Sequence, residues 1–334
     1  MIHMKNPWNQ FKESFLSALP TISLALFLLF SIKAMGVSDH IILAIIMPFY
    51  FRSAKSRKIN IRSFCNDAVV YTLLSLLSHL ATVNSITMML LNLLVPFGIV
   101  FFLCNERSLS KYTLYGLVFI YFQRYSLPAG RLPVRVFAFA YAFAITFVWL
   151  CICLKRDHRV DGIFDNTTPN AKARSFHLES PHTRFALRLS ITMLLSSILT
   201  AMLKTHIQKA DWLHLNAYLM MLPMYEDTIT RLELRIKGTI LGAAVVAAIV
   251  GILGLELSSV LICTVTLTGM FMAKQYDRRT IVTTSLALLL TVSPGEGYWL
   301  ILLRVASVVT AAALVYMGNR LILPSYKSTT RLTA

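Results

Sequence analysis

Acidic residues are scarce in this chain: Asp and Glu together number 15 in 334 residues, against 32 Lys and Arg. Charged residues of either sign make up only 14%, which excludes an ordinary water-soluble domain. Cysteines are few, and the five present (Cys65, Cys104, Cys151, Cys153 and Cys263) lie in or beside apolar runs. They suggest no disulfide framework. Cys151-x-Cys153 has the look of a metal pair, but small, soft packing residues are the plainer reading. No G-x-x-x-x-G-K-[ST], H-E-x-x-H, G-x-S-x-G or Cys-x-x-Cys occurs, so the chain offers no nucleotide site, metal site, cofactor or nucleophile of a familiar kind. The expectation is a protein that is not an enzyme and does not drive transport with ATP by itself. No basic stripe carries interleaved aromatics outside the apolar runs, which argues against nucleic-acid binding. A small-residue cleavage site after the first apolar run is also missing, so that run reads as a retained span.

What the sequence has in quantity is apolar length. Hydrophobic residues reach 56% and the mean hydropathy is +0.65. Runs of about 20 apolar residues, enough to cross a ~30 Å hydrocarbon layer as helix, recur throughout. They are solid rather than alternating, which favours an all-α polytopic membrane protein over a β-barrel. Spans are expected near Phe15–Met35, His40–Phe51, Ile61–Leu80, Ser85–Cys104, Tyr112–Tyr125 and Leu132–Leu154. A second set follows near Arg184–Lys204, Trp212–Pro223, Ile236–Leu253, Leu257–Ala273, Thr280–Ser293 and Trp299–Leu323. The second helix of each set is short for a crossing, and a re-entrant or broken segment is the alternative.

The basic residues orient this pattern. With a cytoplasmic N-terminus and twelve crossings, all but seven of the 32 Lys and Arg fall on the inner side. The seven are Lys33, Arg124, Arg131, Arg135, Lys204, Lys209 and Arg304. Such a bias follows the positive-inside rule and puts both termini in the cytoplasm. The net charge of +17 is thus mainly a topology signal.

Six crossings are an even number, so the two sets share one orientation and form a parallel repeat. The expected organisation is a first six-helix repeat at 1–154, a cytoplasmic linker at 155–183 and a second repeat at 184–334. Pro48-Phe49-Tyr50, leading through a basic run to Ile61 and Arg62, echoes Pro223-Met-Tyr225 leading to Ile236 and Lys237. Leu132-Pro-Val-Arg135 likewise echoes Leu302-Leu-Arg304 at the start of each last helix. Transporters commonly use such repeats around a midplane site, and channels share the plan.

In the second half, Arg184-Phe-Ala-Leu-Arg188, Trp212, Pro223, Thr228 and Arg235-Ile-Lys-Gly238-Thr239-Ile-Leu-Gly242 resemble the signature run of the fusaric acid resistance–like, or aromatic acid exporter, superfamily. The resemblance covers about Arg184–Leu253; the first half keeps the layout but has Asn60, Ser63, Phe64 and Asp67 at the corresponding places. It implies a short, membrane-only member in a bacterial inner membrane that exports small organic, aromatic carboxylic acids. It also implies a periplasmic adaptor of the membrane-fusion type. The alternatives are a passive anion channel and a non-transporting envelope-assembly component. Homo-oligomerisation stays open.

Each site residue has a plain and a functional reading. Gly238 and Gly242, four apart, allow close helix packing, and Pro48 and Pro223 shape the short helices. Arg235 either holds a carboxylate with its planar fork or snorkels to lipid phosphate. The Thr239 hydroxyl bonds back to its own helix or meets substrate. Arg135 and Arg304, against the charge trend, are anion-attracting residues or helix-end anchors. Asp67, inside a span, is the leading proton-coupling carboxylate or an arginine's partner. Glu226 and Asp227 relay protons or pair with Arg231 and Arg235. Trp212, Trp299, Tyr112, Tyr298, His79 and His206 read as interfacial.

Overall fold

A computed structural model describes residues 7–57, 61–104, 111–124, 128–156, 180–204, 206–207, 209–222, 225–253, 259–273, 275–289 and 297–322. Pro223 and almost all of the 155–183 linker lie outside them. The described residues are all-helical, with twelve α-helices. These are α1 (Pro7–Ala34), α2 (Leu43–Arg57), α3 (Ile61–Leu80), α4 (Ser85–Gly98), α5 (Lys111–Arg124) and α6 (Leu132–Arg156), then α7 (Pro181–Lys204), α8 (Asp211–Met220), α9 (Tyr225–Leu253), α10 (Ser259–Met272), α11 (Tyr276–Leu289) and α12 (Gly297–Met317).

Apolar sequence makes these helices, and polar signals set their ends. Asn84 caps α4 by accepting the Thr87 N–H at 2.7 Å, satisfying one of the donors a helix start leaves open. Downstream, Pro96 sits inside α4, and the chain widens into a π-helical turn at Ile99–Leu103. A widened turn frees backbone groups; here the Val100 carbonyl meets the His182 ring at 2.7 Å. A second π-turn, Gly318–Ile322, ends α12.

Five helices among the described residues are long and apolar enough to cross a membrane: Lys12–Ala34, Ser85–Leu103, Leu132–Lys155, Pro181–Lys204 and Tyr298–Arg320. Their outer faces are apolar as well. Ile86, Leu90 and Leu94 recur every four residues on α4 and are 72, 54 and 58% exposed. A greasy stripe at helical period, left without protein cover, is what lipid requires.

Several helices depart from the expected spans, α9 and α8 among them. The span expected at Ile236–Leu253 belongs to a helix that starts at Tyr225, because the charged stretch before Ile236 is rich in good helix formers that hydropathy hides. The short α8 has 10 residues, about 15 Å at 1.5 Å per residue, half of a ~30 Å hydrocarbon layer. It stops at Met220 and is followed by buried, non-helical backbone whose carbonyls are claimed by side chains. Tyr112 Oη donates to the Met221 carbonyl at 2.6 Å. Arg188 Nη2 and Thr228 Oγ1 each donate to the Leu222 carbonyl at 3.1 Å. Broken backbone inside a membrane persists only with such internal partners.

The chain forms two compact units. The first takes residues 1–72, 127–169 and 257–282. Here α1 packs on α2, α6 and α10, and α2 packs on α6. The second takes 73–126, 170–256 and 283–334. In it α7 packs on α4 and α8, while α12 packs on α7, α8 and α9. The helix α5 also meets α8 in this unit. A cluster of Trp212, Ala243, Val246, Leu288 and Ile301 forms part of its core.

Candidate functional site

The second unit gathers polar side chains that its apolar helices have no packing use for. Arg304, two turns into α12, is 4% exposed. Its guanidinium carbon lies 4.9 Å from the centre of the Trp212 ring, within cation–π range. Among the described residues its Nε and Nη1 have no hydrogen-bond partner. The charges that act on it are those of Arg235 and Arg124, both of its own sign. A buried guanidinium flanked by cations is costly unless an anion joins it.

Arg235 reaches this region from α9. Its Nη2 donates to Asn216 Oδ1 at 3.0 Å, and Asn216 Nδ2 faces Ser307 Oγ at 3.5 Å. It therefore lies ten residues into a helix and is buried, with its head bonded to a side chain of α8. One turn on, Thr239 is 1% exposed, and its hydroxyl has no partner among the described residues. The bond back to its own helix is therefore not made. On the same helix Gly238 and Gly242 are buried, and Ser285 Oγ of α11 donates to the Gly242 carbonyl at 3.3 Å. That contact shows how closely α11 approaches there.

Next to the arginines is a cavity of about 520 Å³. Its lining includes Asn92, Gln123, Arg124, Lys204, Asp211 and His214. Arg124 thus belongs both to the cavity wall and to the electrostatic surroundings of Arg304. His214 is held between α7 and α4: Nδ1 lies 2.7 Å from Ser196 Oγ, and Nε2 lies 3.1 Å from Asn92 Oδ1. Asn92 and Gln123 pair amide to amide, at 2.9 and 3.3 Å.

The other expected site residues lie apart from this group. Arg135 of α6 is fully buried in the first unit, where Asp39 and His40 are its electrostatic neighbours. Asp67 of α3 is 4% exposed and accepts a hydrogen bond from Tyr50 Oη at 3.0 Å. Around Tyr50 stand Phe64, Tyr71 and Phe143, with ring centres 5.4–5.7 Å away. Asp227 is exposed in the first turn of α9. Pro48 is buried within α2, which runs on to Arg57.

Two aromatics expected at the interface are interior. Trp212 is 2% exposed, and Tyr112 is buried against Tyr218 and Phe185. Tyr298 and Trp299 do stay exposed. Asn92, Gln123, Ser196, His214 and Asn216 are not among the residues that the sequence marks, and Arg124 is marked only as a charge against the topology trend. A signal existed: Asn92 interrupts MMLLNLLV, and His214 and Asn216 interrupt WLHLNAYLM. Polar groups inside such runs must find partners or a function.

Against known proteins, residues 191–318 match the family model described as "Fusaric acid resistance protein-like". The match runs from within α7 to the end of α12. It contains His214, Asn216, Arg235, Thr239 and Arg304, while Asn92, Gln123 and Arg124 precede it. No curated protein and no solved structure matches the chain.

Proposed function

Since residues 191–318 of this multi-pass membrane protein are fusaric acid resistance protein-like, we propose that the chain is a secondary transporter. Its cargo in this reading is small organic anions, aromatic carboxylic acids above all, moved out of the cell at the expense of the proton gradient. The observation that carries the proposal is Arg304: a buried guanidinium with two unfilled donors, facing an aromatic ring and two like charges. A carboxylate there would accept charge-assisted hydrogen bonds from these donors, and an aromatic body would suit the Trp212 neighbourhood. Arg235, Asn216 and Thr239 supply further donors. Arg135 is the corresponding residue of the first unit.

Helix numbering supports the repeat on which the transport reading leans. The first unit takes α1, α2, α6 and α10 together with most of α3; adding six to each number, with α10 answering to α4, gives the core of the second. The cavity lining comes from the start of α4, the end of α5, the end of α7 and the start of α8. In the orientation that the positive-inside rule favours, those ends lie on the outer side of an inner membrane, where a membrane-fusion-type adaptor would receive cargo.

The test is flux of 4-hydroxybenzoate and fusaric acid in proteoliposomes with and without an imposed pH difference. Accumulation that collapses with the pH difference is the expected result. Downhill flux indifferent to it would make the protein a channel. In the same assay Asp67→Asn, which keeps an acceptor for Tyr50 but cannot ionise, should lose uphill accumulation and retain downhill exchange. Equal loss of both would mark Asp67 as a packing residue.

A further inference from the structure

We infer that His214 is a proton-binding residue of the second unit, taking its proton through the cavity it lines; the inference rests on the transport reading above. The hydrogen bonds around the ring are arranged so that both the neutral and the protonated imidazole are fully satisfied. Asn92 Oδ1 faces Nε2 at 3.1 Å, and a carbonyl oxygen only accepts, so Nε2 carries a hydrogen in either state. Gln123 pairs with both ends of the Asn92 amide, so Asn92 does not turn alone.

The other nitrogen has a partner that works both ways. Ser196 Oγ lies 2.7 Å from Nδ1 and 2.9 Å from the Met193 carbonyl. With a neutral ring the hydroxyl donates to Nδ1. When Nδ1 gains a proton, Nδ1–H donates to Oγ and the hydroxyl hydrogen turns to the Met193 carbonyl. The balance is one proton in and one O–H rotation, with no buried donor or acceptor stranded. A histidine that merely fills space needs one hydrogen-bonded state; this one is provided with two.

Charged groups lie on several of the helices around the ring. Asp211, one turn earlier on α8, lines the same cavity. Opposing it are Lys204 of α7 and Arg124 of α5 in the cavity wall. Arg304 of α12 lies against Trp212, and Arg235 of α9 is bonded to Asn216, both neighbours of His214 on α8. The α4 side contributes neutral Asn92. An anion in the cavity would sense a charge on the ring, and such linkage is reciprocal.

The experiment compares wild type with His214→Gln, whose amide N–H can still meet Asn92 but cannot take a proton. The probe is 4-hydroxybenzoate in proteoliposomes. The ratio of pH-driven accumulation to exchange at equal pH should fall about tenfold or more. Separately, ring ¹⁵N spectra of the full chain in nanodiscs should show the His214 signals, identified by their loss in His214→Gln, titrating within the pH range over which the imposed gradient drives accumulation. Below that titration both nitrogens should be protonated, and above it Nε2 alone. A ring that stays neutral throughout, or carries its neutral-state proton on Nδ1, overturns the inference. Loss of exchange along with accumulation in His214→Gln also overturns it, because the residue would then serve the fold or the anion site. If wild type moves no probe yet the ring titrates as described, the transport reading fails and the proton site stands.

Discussion

Arg304→Met should stop 4-hydroxybenzoate flux while leaving the protein at least as stable as wild type. Truncating one partner of a buried, hydrogen-bonded charge pair costs about 2–5 kcal/mol. Flux below saturation should therefore fall at least about 30-fold, which is the lower end of that range. Stability should move the other way. Arg304 holds a buried charge beside Arg235 and Arg124, and replacing buried ions with apolar residues of similar volume is often neutral or stabilising by about 1–4 kcal/mol. Arg304→Lys keeps the charge but loses the planar fork and the stacking on Trp212, so it should fall between the two. Thermal unfolding in detergent, run beside the flux assay, reads both signs at once. A helix-end anchor would give the reverse pattern: lower stability with transport retained.

The second large effect is steric and concerns Gly116 of α5. A Cβ at that position would overlap the Tyr218 ring of α8. The ring cannot step aside cheaply, because its hydroxyl donates to the Tyr112 carbonyl at 2.6 Å, and Tyr112 Oη in turn holds the Met221 carbonyl. Gly116→Ala should therefore cost about 1–3 kcal/mol or more as overpacking and lower the unfolding temperature. Gly130→Ala is the control, since its Cβ would meet nothing within 4 Å, and should leave that temperature unchanged. Adding Tyr218→Leu to Gly116→Ala should recover part of the loss, because residues in contact do not act additively. An unchanged unfolding temperature in Gly116→Ala would mean that α5 and α8 do not pack this closely.

Helices were legible where apolar length alone decides them. The α3 limits, Ile61–Leu80, are those that the hydropathy pattern gives, and α7 differs by three residues at its start. The reading weakened where polarity and helicity part company. At the start of α9, charged side chains that do not look like a span are still good helix formers, so the helix extends back to Tyr225. At α2, the basic residues after Phe51 end the apolar run but not the helix, which continues to Arg57.

The site was legible in half. Arg304 and Arg135 stood out because a charge on the wrong side of a topology pattern asks for a reason. Trp212 was misread because a tryptophan beside a polar loop has the composition of an interface anchor, whether or not an arginine lies across its ring. The His214 contacts were beyond the sequence altogether. They join α4, α5, α7 and α8, and periodicity shows which face of a helix is apolar but not which neighbour will cover it.

Each compact unit draws helices from both ends of the chain, and this constrains how the protein is made. The helices α4 and α5 emerge from the ribosome early, yet their companions α7, α8 and α12 come much later; α1 likewise waits for α10. During synthesis Asn92 and Gln123 must sit in lipid with only each other as partners until His214 arrives. A chain stopped after α6 would hold the first pieces of two structures and the whole of neither. Co-expressed fragments 1–156 and 180–334 should therefore rescue one another, while either alone should be degraded.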